Sequence, residues 1–319
     1  MKKIIMNTLF VILCAIVFAG FAGLGFVLAT NHLTQTRYSY LKVNFTEDVG
    51  TAITDLSYGE DPLQAYDLYL PAGKSKENYS LVFFVHGGGF TGGDKSLIEA
   101  VRYGEYLASK GYVVASANYR LASEDNPVSV YDMYEDLMTA VGACVEKAEE
   151  LGYHVTEMAT TGGSAGGCLA MLVAFKEPDM LPVPIRFVFE ETGPASFEPD
   201  LWDMKTDEER AYFVNSVTGK GFTAEDVGSE EYQEAIDGIS VSTMITEYSV
   251  PILLAYGPKD KIVSVKAKYP LLEALEERGV EHTYIEFPHS GHGLMGDPDK
   301  TTEWFSVMEN YLNSYFENN

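Results

Sequence analysis

The stretch that decides the fold is Gly162-Gly163-Ser164-Ala165-Gly166, a G-x-S-x-G pattern that joins a strand-like segment, 155–160, to a helix-like segment, 164–175. A nucleophilic serine needs its Oγ exposed on a tight strand-to-helix turn, and glycines on either side leave room for strained backbone and close helix packing. The helix that begins at the serine also stabilises developing negative charge at its N-terminus. The pattern alone would fit an ordinary glycine turn, but the flanking strand and helix favour Ser164 as a nucleophile.

On both sides of this stretch, apolar runs of strand length alternate with segments of helical spacing. Strands are predicted over 67–71, 81–85, 112–117, 155–160, 185–189, 251–256 and 282–287, and helices over 96–110, 129–151, 164–175, 265–278 and 302–316. Fully apolar strands that alternate with amphipathic helices are typical of a parallel sheet covered on both faces. The predicted fold class is therefore α/β, with a mostly parallel central sheet and helices on both faces.

Residues 197–246 break this alternation, because they are acidic, carry scattered aromatic residues and contain no clear strand pattern. We predict a mostly helical insertion between two strands of the sheet. In a parallel sheet such an insertion projects over the carboxyl ends of the strands, where ligands bind. A helical cap that sets substrate specificity is the functional interpretation, and a surface excursion without function is the alternative.

A second glycine-rich motif, His86-Gly87-Gly88-Gly89-Phe90, directly follows the predicted strand 81–85. Three successive glycines let backbone N–H groups converge without obstruction by Cβ atoms, which suits the oxyanion of a tetrahedral intermediate. A phosphate-binding loop would need the G-x-x-x-x-G-K-[ST] pattern, and the motif does not fit it. We interpret His86 itself as a structural residue that orients the loop.

A serine nucleophile needs a histidine base, which is in turn held by a carboxylate. After a G-x-S-x-G turn the chain order is serine, then acid, then histidine. His282, His289 and His292 follow Ser164 with an acid between. His292, which two glycines flank in the loop after the last strand, is the predicted base, and His289 is the alternative. Asp260, just past the preceding strand, is the predicted orienting carboxylate, although a solvated turn aspartate would have the same sequence context.

At the N-terminus, Lys2 and Lys3 precede an apolar stretch that runs to residue 29. About 20 residues span a bilayer core, so this stretch is long enough for a transmembrane anchor. A cleaved signal peptide is the alternative, because 27–29 resembles a small-residue cleavage site. We expect an anchor or signal segment at 1–29, a tether at 30–40 and a catalytic domain at 41–319. The catalytic domain is expected to be extracytoplasmic, either membrane-anchored or secreted.

The chain has 22 basic and 47 acidic residues, which give a net charge of −25. Such a field repels phosphate backbones and argues against a nucleic-acid partner. The three cysteines, Cys14, Cys144 and Cys168, have no metal-ligand spacing. A Cys144–Cys168 disulfide and two buried free thiols both remain open. No feature of the sequence implies a metal or an organic cofactor, and the oligomeric state is open.

These motifs together resemble the α/β-hydrolase family, and in particular its carboxylesterase branch. That branch includes hormone-sensitive-lipase-like and feruloyl- and acetylxylan-esterase-like enzymes. The resemblance covers roughly residues 68–316. It rests on the glycine-rich motif at 86–90, on Asn118-Tyr119-Arg120-Leu121, on 162–167 and on the Asp260 and His292 turns.

The resemblance implies that the backbone N–H groups of Gly88, Gly89 and Ala165 form the oxyanion hole, and that Tyr119 and Arg120 are structural. Two positions depart from the hormone-sensitive-lipase-like pattern. Gly163 stands where that branch usually has aspartate, and Ser123 stands where it has proline. Both departures favour the feruloyl- and acetylxylan-esterase-like side.

We therefore expect a serine esterase that hydrolyses short-chain acyl esters of small molecules or carbohydrates through an acyl-enzyme. The largely acidic insertion disfavours long apolar acyl chains. One alternative is a small peptidase or amidase with the same triad. The other is a non-catalytic, membrane-tethered binding protein, which the presence of every expected site residue in the right order argues against.

Overall fold

The computed structural model describes residues 32–74, 76–123 and 125–317. The described residues divide into two compact units, one that ends at Tyr40 and one that begins at Leu41. Residues 32–37 are helical, and a 3-10 helix, Tyr38–Leu41, follows them. The predicted anchor or signal segment, 1–29, lies outside the described residues. Across the described ranges, no helix combines the length and the apolar character that a membrane crossing requires.

The second unit is built on one eight-stranded sheet in the order β1-β2-β4-β3-β5-β6-β7-β8. β1 and β4 both run antiparallel to β2, and all strand pairs from β4 to β8 are parallel. This arrangement confirms the predicted mostly parallel sheet. The strands are β1 (Gly50–Ser57), β2 (Ala65–Pro71), β3 (Tyr79–Val85), β4 (Val113–Ala117), β5 (Val155–Gly163), β6 (Ile185–Glu191), β7 (Ile252–Tyr256) and β8 (His282–Glu286).

Seven α-helices accompany the sheet in the described part of this unit. They are α1 (Ile98–Ser109), α2 (Val130–Glu150), α3 (Ala165–Phe175), α4 (Asp207–Thr218), α5 (Glu230–Asp237), α6 (Tyr269–Arg278) and α7 (Pro298–Tyr315). Short side chains cap two of them. Ser129 begins α2 in a capping box with Asp132, and Thr206 begins α4 in a capping box with Glu209. Such boxes satisfy backbone N–H groups that the first helical turn leaves unpaired.

Helices cover both faces of the sheet because successive strand residues point to opposite sides. Phe84 packs on Tyr103 of α1, with ring centroids 5.5 Å apart, and Tyr103 packs in turn on Phe305 of α7. Phe83, the preceding residue, belongs instead to the buried cluster that includes Met133 of α2 and Leu169 of α3. The apolar run of β3 is therefore buried on both sides, as predicted.

The sequence did not predict β1, the edge strand. Its side chains are mostly exposed, and only Gly50 is buried. Thr51, Thr54, Asp55 and Ser57 give it a polar composition without the apolar run that marked the central strands. Only Ile53 and Leu56 are half-buried against the core, and two such residues in eight are too few for the hydrophobic signal on which that prediction depends.

Between β6 and β7 the chain forms the helices α4 and α5 and three 3-10 helices, Pro199–Trp202, Ala224–Asp226 and Val241–Thr243. This segment coincides with the predicted insertion at 197–246, and all of its residues are described. Cys144 in α2 and Cys168 in α3 are both free and buried, so they form no disulfide.

Candidate active site

The G-x-S-x-G turn joins β5 directly to α3, and Ser164 stands at the turn with φ +58° and ψ −129°. A non-glycine residue at positive φ is strained by roughly 1–3 kcal/mol and persists only where its surroundings hold it. The amide of Ser164 donates a hydrogen bond to the carbonyl oxygen of Glu191, at 2.8 Å. The end of β6 therefore holds the serine in its strained conformation.

The glycines of the turn are required because the first turn of α3 lies against the end of β3. A Cβ atom at Gly166 would lie 2.1 Å from the carbonyl oxygen of Val85 and 2.5 Å from that of His86. A Cβ atom at Gly162 would lie 2.6 Å from the same Val85 oxygen. These contacts are far inside van der Waals distance, so only glycine fits both positions.

The structure brings Ser164, His292 and Asp260 into one hydrogen-bonded chain. His292 Nε2 lies 2.8 Å from Ser164 Oγ, and His292 Nδ1 lies 2.8 Å from Asp260 Oδ2. The second carboxylate oxygen, Asp260 Oδ1, accepts the amides of Ile262 and Val263 at 2.8 and 3.1 Å. The carboxylate side chain is only 3% exposed, whereas that of His292 is 24% exposed. This geometry allows a proton to pass from the serine hydroxyl to the imidazole.

His289, the alternative base, is exposed and has no part in this chain of hydrogen bonds. Its backbone amide donates to the carboxylate of Asp297, at 3.0 Å. Asp297 also accepts the Ser290 hydroxyl at 2.6 Å, and Ser290 Oγ accepts the amide of Gly296 at 2.8 Å. These contacts close the loop that presents His292. Asp297 is not among the predicted site residues, although its position before Pro298 marks a helix start.

The glycine-rich loop after β3 lies against the nucleophile turn. A Cβ atom at Gly87 would lie 3.3 Å from the Ser164 Cβ. Gly88 and Gly89 have φ values of +132° and +63°, which favour glycine. Within the described ranges, the amides of Gly88, Gly89 and Ala165 have no hydrogen-bond acceptor. Their role as oxyanion donors stays a prediction.

His86 is buried and stacks on Tyr119, with ring centroids 4.4 Å apart and an interplanar angle of 10°. The Tyr119 hydroxyl donates to the His86 carbonyl oxygen at 2.9 Å, and His86 Nδ1 lies 2.8 Å from the Gly87 carbonyl oxygen. Burial lowers the pKa of His86, which favours the neutral imidazole. Arg120, which follows Tyr119, donates Nε and Nη2 to the Asp136 carboxylate. These contacts agree with the structural roles predicted for the three residues.

A buried ion pair supports the far side of the same loop, and the sequence reasoning missed it. Lys95 Nζ lies 2.7 Å from both Asp67 Oδ1 and Asp55 Oδ1. The side chains of Lys95 and Asp67 are 6% and 3% exposed, whereas that of Asp55 is 78% exposed. The amide of Lys95 donates to Asn118 Oδ1. The three partners come from separate strands or strand ends, so no local spacing signals the contact.

The insertion reaches the site through aromatic side chains. Phe197 packs on Phe90 of the glycine-rich loop, with ring centroids 6.2 Å apart, and Trp202 and Phe213 pack on Phe197. A second contact lies near the acid. The hydroxyl of Ser264, four residues after Asp260, donates a hydrogen bond to the carbonyl oxygen of Leu201 in the insertion. The insertion therefore contacts both the glycine-rich loop and the segment that follows the acid.

No group of three or more His, Cys, Asp or Glu side chains suited to a metal ion occurs in the portion of the chain that the structure covers. The site contains a hydroxyl, an imidazole and a carboxylate in one hydrogen-bonded chain, with the glycine-rich loop beside the hydroxyl.

A family model described as BD-FAE matches residues 66–275. The chain is 24% identical over 254 residues to dipeptidyl aminopeptidase BIII of Pseudoxanthomonas mexicana, a match that covers 75% of this chain and 34% of that protein. It is 24% identical over 248 residues to esterase LipC of Mycobacterium tuberculosis, covering 74% of this chain and 58% of LipC. The chain thus spans between about a third and three-fifths of the length of these relatives.

A solved structure described as a truncated carbohydrate esterase from gut microbiota shares the fold, with a TM-score of 0.68 at 17% identity over 84% of this chain and 97% of that one. This likeness confirms the predicted fold class. The family match covers most of the sheet, the nucleophile turn and the acid. The protein therefore belongs to the BD-FAE family, an esterase family of the α/β-hydrolase fold.

Proposed function

We propose that the protein is a serine esterase that hydrolyses short-chain acyl esters through an acyl-enzyme on Ser164. The observation that carries the proposal is the hydrogen-bonded chain from Ser164 Oγ through His292 to Asp260, with both contacts at 2.8 Å. A hydroxyl is a weak nucleophile at its free pKa, and a base within hydrogen-bond reach activates it.

In the acylation step, His292 Nε2 takes the proton of Ser164 Oγ while that oxygen attacks the carbonyl carbon of the ester. The C–O bond to the alcohol then breaks, and His292 returns the proton to the leaving alcohol oxygen. Asp260, held by two backbone amides, accepts Nδ1–H and stabilises the imidazolium that forms between the two transfers.

The negative charge of the tetrahedral intermediate develops on the carbonyl oxygen of the ester. The amides of Gly88, Gly89 and Ala165 are the proposed donors to it. Ala165 directly follows the serine, and Gly88 and Gly89 follow Gly87, whose added Cβ atom would lie 3.3 Å from the Ser164 Cβ. None of the three amides has another acceptor in the described structure. One such donor is worth roughly 10²–10³-fold in rate. In the deacylation step, His292 Nε2 takes a proton from water while the water oxygen attacks the acyl carbon. The bond from that carbon to Ser164 Oγ then breaks, and His292 returns the proton to Oγ.

The insertion supports a preference for short acyl groups. Its residues 197–246 contain twelve acidic and three basic side chains. Two of its aromatic rings, Phe197 and Trp202, stack on each other beside the glycine-rich loop. Such a charged cover disfavours both long apolar chains and anionic substrates. We propose that this segment is a cap over the site.

The proposed substrates are esters of small molecules or carbohydrates. A carbohydrate ester is in line with the carbohydrate esterase that shares the fold. We further propose that residues 41–319 act outside the cytoplasm, anchored to a membrane or secreted, on the basis of the apolar stretch at 4–29.

A peptidase or amidase is the second candidate, and the similarity to dipeptidyl aminopeptidase BIII favours it. Both activities use the same acyl-enzyme, so the site geometry alone does not separate them. The rates on p-nitrophenyl acetate and on an aminoacyl p-nitroanilide do. We expect the ester to be preferred, and a higher kcat/KM for the anilide would overturn the esterase assignment.

The experiment that tests the proposed function is an acyl-length series of p-nitrophenyl esters, from acetate to palmitate, with Ser164→Ala as the matched control. We expect kcat/KM to peak at acetate or butyrate and the alanine variant to lose hydrolysis. A rise in kcat/KM from butyrate to palmitate would contradict the short-chain preference. Undiminished hydrolysis by Ser164→Ala would contradict the acyl-enzyme itself.

A further inference from the structure

Glu190 is a fully buried carboxyl directly behind the nucleophile turn. It lies in β6 with 0% exposure. Its neighbours in the sheet are Gly162 of β5, two residues before Ser164, and Leu254 of β7. The triad and the oxyanion donors proposed above leave this group without a role.

Two glycines, Gly167 and Gly193, leave the space that this carboxyl occupies. Glu190 Oε2 accepts a hydrogen bond from the amide of Gly193, at 2.7 Å. A Cβ atom at Gly193 would lie 2.7 Å from Oε2, and one at Gly167, in the first turn of α3, would lie 2.8 Å from it. Both positions therefore need glycine to accommodate the carboxyl.

The hydrogen bond from Gly193 to Glu190 closes the turn that follows β6, and this turn contacts two members of the triad. The carbonyl oxygen of Glu191 accepts the amide of Ser164 at 2.8 Å. The Thr192 hydroxyl donates to the carbonyl oxygen of His292, at 3.3 Å. Thr192 itself has φ +54°, a strained value that its surroundings must maintain.

We propose that Glu190 is a positioning residue for the proposed esterase site: through its hydrogen bond to Gly193 it fixes the turn that holds both Ser164 and His292. The inference rests on the proposed esterase function. It assigns Glu190 no contact with the substrate.

The charge state of Glu190 gives this role a specific signature. Burial raises the pKa of Glu190 to about 8, an effect that the Gly193 amide and the Tyr256 hydroxyl only partly oppose. Oε1 has no hydrogen-bond partner in the described structure, which suits a neutral acid better than a carboxylate. An anion behind the first turn of α3 would oppose the negative charge that develops in front of it. The site is therefore expected to work with Glu190 protonated.

Two other titratable groups lie close to Glu190 from neighbouring elements, and a third adjoins it in β6. Tyr256 approaches from β7 and Cys168 from α3, and burial raises the pKa of both well above that of Glu190, so they stay neutral near pH 8. Glu191, the next residue of β6, carries a charge that raises the pKa of Glu190 further. Tyr256 and Cys168 therefore do not account for a change of charge near pH 8, whereas Glu190 does.

The test compares the full-length wild type with Glu190→Gln, Glu190→Ala and the control Glu157→Gln. Glu157 is the matched control because it is also buried, in the adjacent β5, but lies at the other end of that strand in an ion pair with Arg186. The readout is kcat/KM for p-nitrophenyl butyrate between pH 6 and pH 9.5. Each variant is first checked for folding by circular dichroism.

We expect the wild type and Glu157→Gln to lose kcat/KM above about pH 8, because Glu190 ionises there. Glu190→Gln stays neutral and should retain its kcat/KM through this range. Glu190→Ala should lower kcat about tenfold or more with KM nearly unchanged, since it displaces the reacting groups without removing them. At pH 7, Glu190→Gln should keep the kcat/KM of the wild type, whereas Glu190→Ala should not.

An alkaline limb in Glu190→Gln that coincides with that of the wild type would overturn the inference, and so would full activity of a folded Glu190→Ala. If Glu190→Ala does not fold, the glutamine profile alone decides. Failure of the proposed function looks different. In that case Ser164→Ala would hydrolyse the ester as fast as the wild type, whatever Glu190 does.

Discussion

The sharpest test of the packing behind the nucleophile is Gly166→Ala. The added Cβ atom would lie 2.1 Å from the carbonyl oxygen of Val85, where ordinary van der Waals contact begins at 3.4 Å. The two segments must therefore separate by roughly 1.3 Å, and His86, whose oxygen would lie 2.5 Å away, must move with Val85. Because all the clashing atoms belong to the backbone, no side-chain rotation relieves the contact.

We expect this separation to destabilise the protein by about 1–3 kcal/mol, the usual range for overpacking a tight site. It should also lower kcat/KM about 10²-fold, because it moves the glycine-rich loop away from Ser164 by about 1 Å. Urea unfolding measures the first effect, and steady-state hydrolysis of p-nitrophenyl butyrate measures the second.

Gly163→Ala is the matched control, because it adds the same atom on the other side of the serine. Its Cβ atom would have its nearest neighbour, the Glu191 carbonyl oxygen, at 3.6 Å, and its φ lies outside the left-handed region. We expect the free energy of unfolding to change by less than about 1 kcal/mol. The reasoning is refuted if Gly166→Ala is as stable and as active as Gly163→Ala.

Three further predictions concern the charged groups. Asp260→Asn should lower kcat about 10⁴-fold with little change in folding, because the amide no longer fixes the imidazole tautomer; a loss below tenfold in steady-state assays would speak against its role. Lys95→Met should destabilise the protein by about 3–5 kcal/mol in urea unfolding, because it leaves buried Asp67 unpaired. The exposed Lys300–Glu303 pair supplies the control, since Lys300→Met should cost less than about 1 kcal/mol. Finally, the folded state raises the pKa of Glu190 from 4.5 to about 8. The free energy of unfolding of the wild type, relative to that of Glu190→Gln, should therefore be highest below about pH 4.5 and fall by roughly a few kcal/mol up to about pH 8. Equal pH dependence of urea unfolding in the two proteins would show that Glu190 ionises normally.

The sequence predicted the central part of the fold because its strands are apolar on both faces and its turns are marked by glycine. Ser164 and the His292 loop carry the same glycine signal, and the order of the chain then selects Asp260. The edge strand β1 escaped prediction because its exposed side chains leave no apolar pattern. The predicted start of α6, residue 265, is too early: the helical spacing of the sequence extends through residues before Tyr269, but Pro270 marks the first turn.

The residues that support the site could not be predicted in the same way. Asp67 lies inside a strand pattern, Glu190 lies at the end of one, and Lys95 lies in the loop before α1. Lys95 and Asp67 are distant in the chain, and the nearby partner of Glu190 is a backbone amide, which leaves no signal in the sequence. Nothing in the local spacing distinguishes a buried charge with a partner from an exposed one. Their roles follow only from tertiary packing, which decides whether a polar group is desolvated.

The most direct test of the central claim is to treat the folded protein with a fluorophosphonate ester and to map the adduct by peptide mass spectrometry. An activated serine hydroxyl displaces fluoride and retains the phosphonyl group, whereas ordinary serines do not react. We predict a single stoichiometric adduct on Ser164 that disappears in His292→Ala. An unmodified Ser164 in protein that still hydrolyses esters, or equal labelling of the His292→Ala variant, would contradict the account.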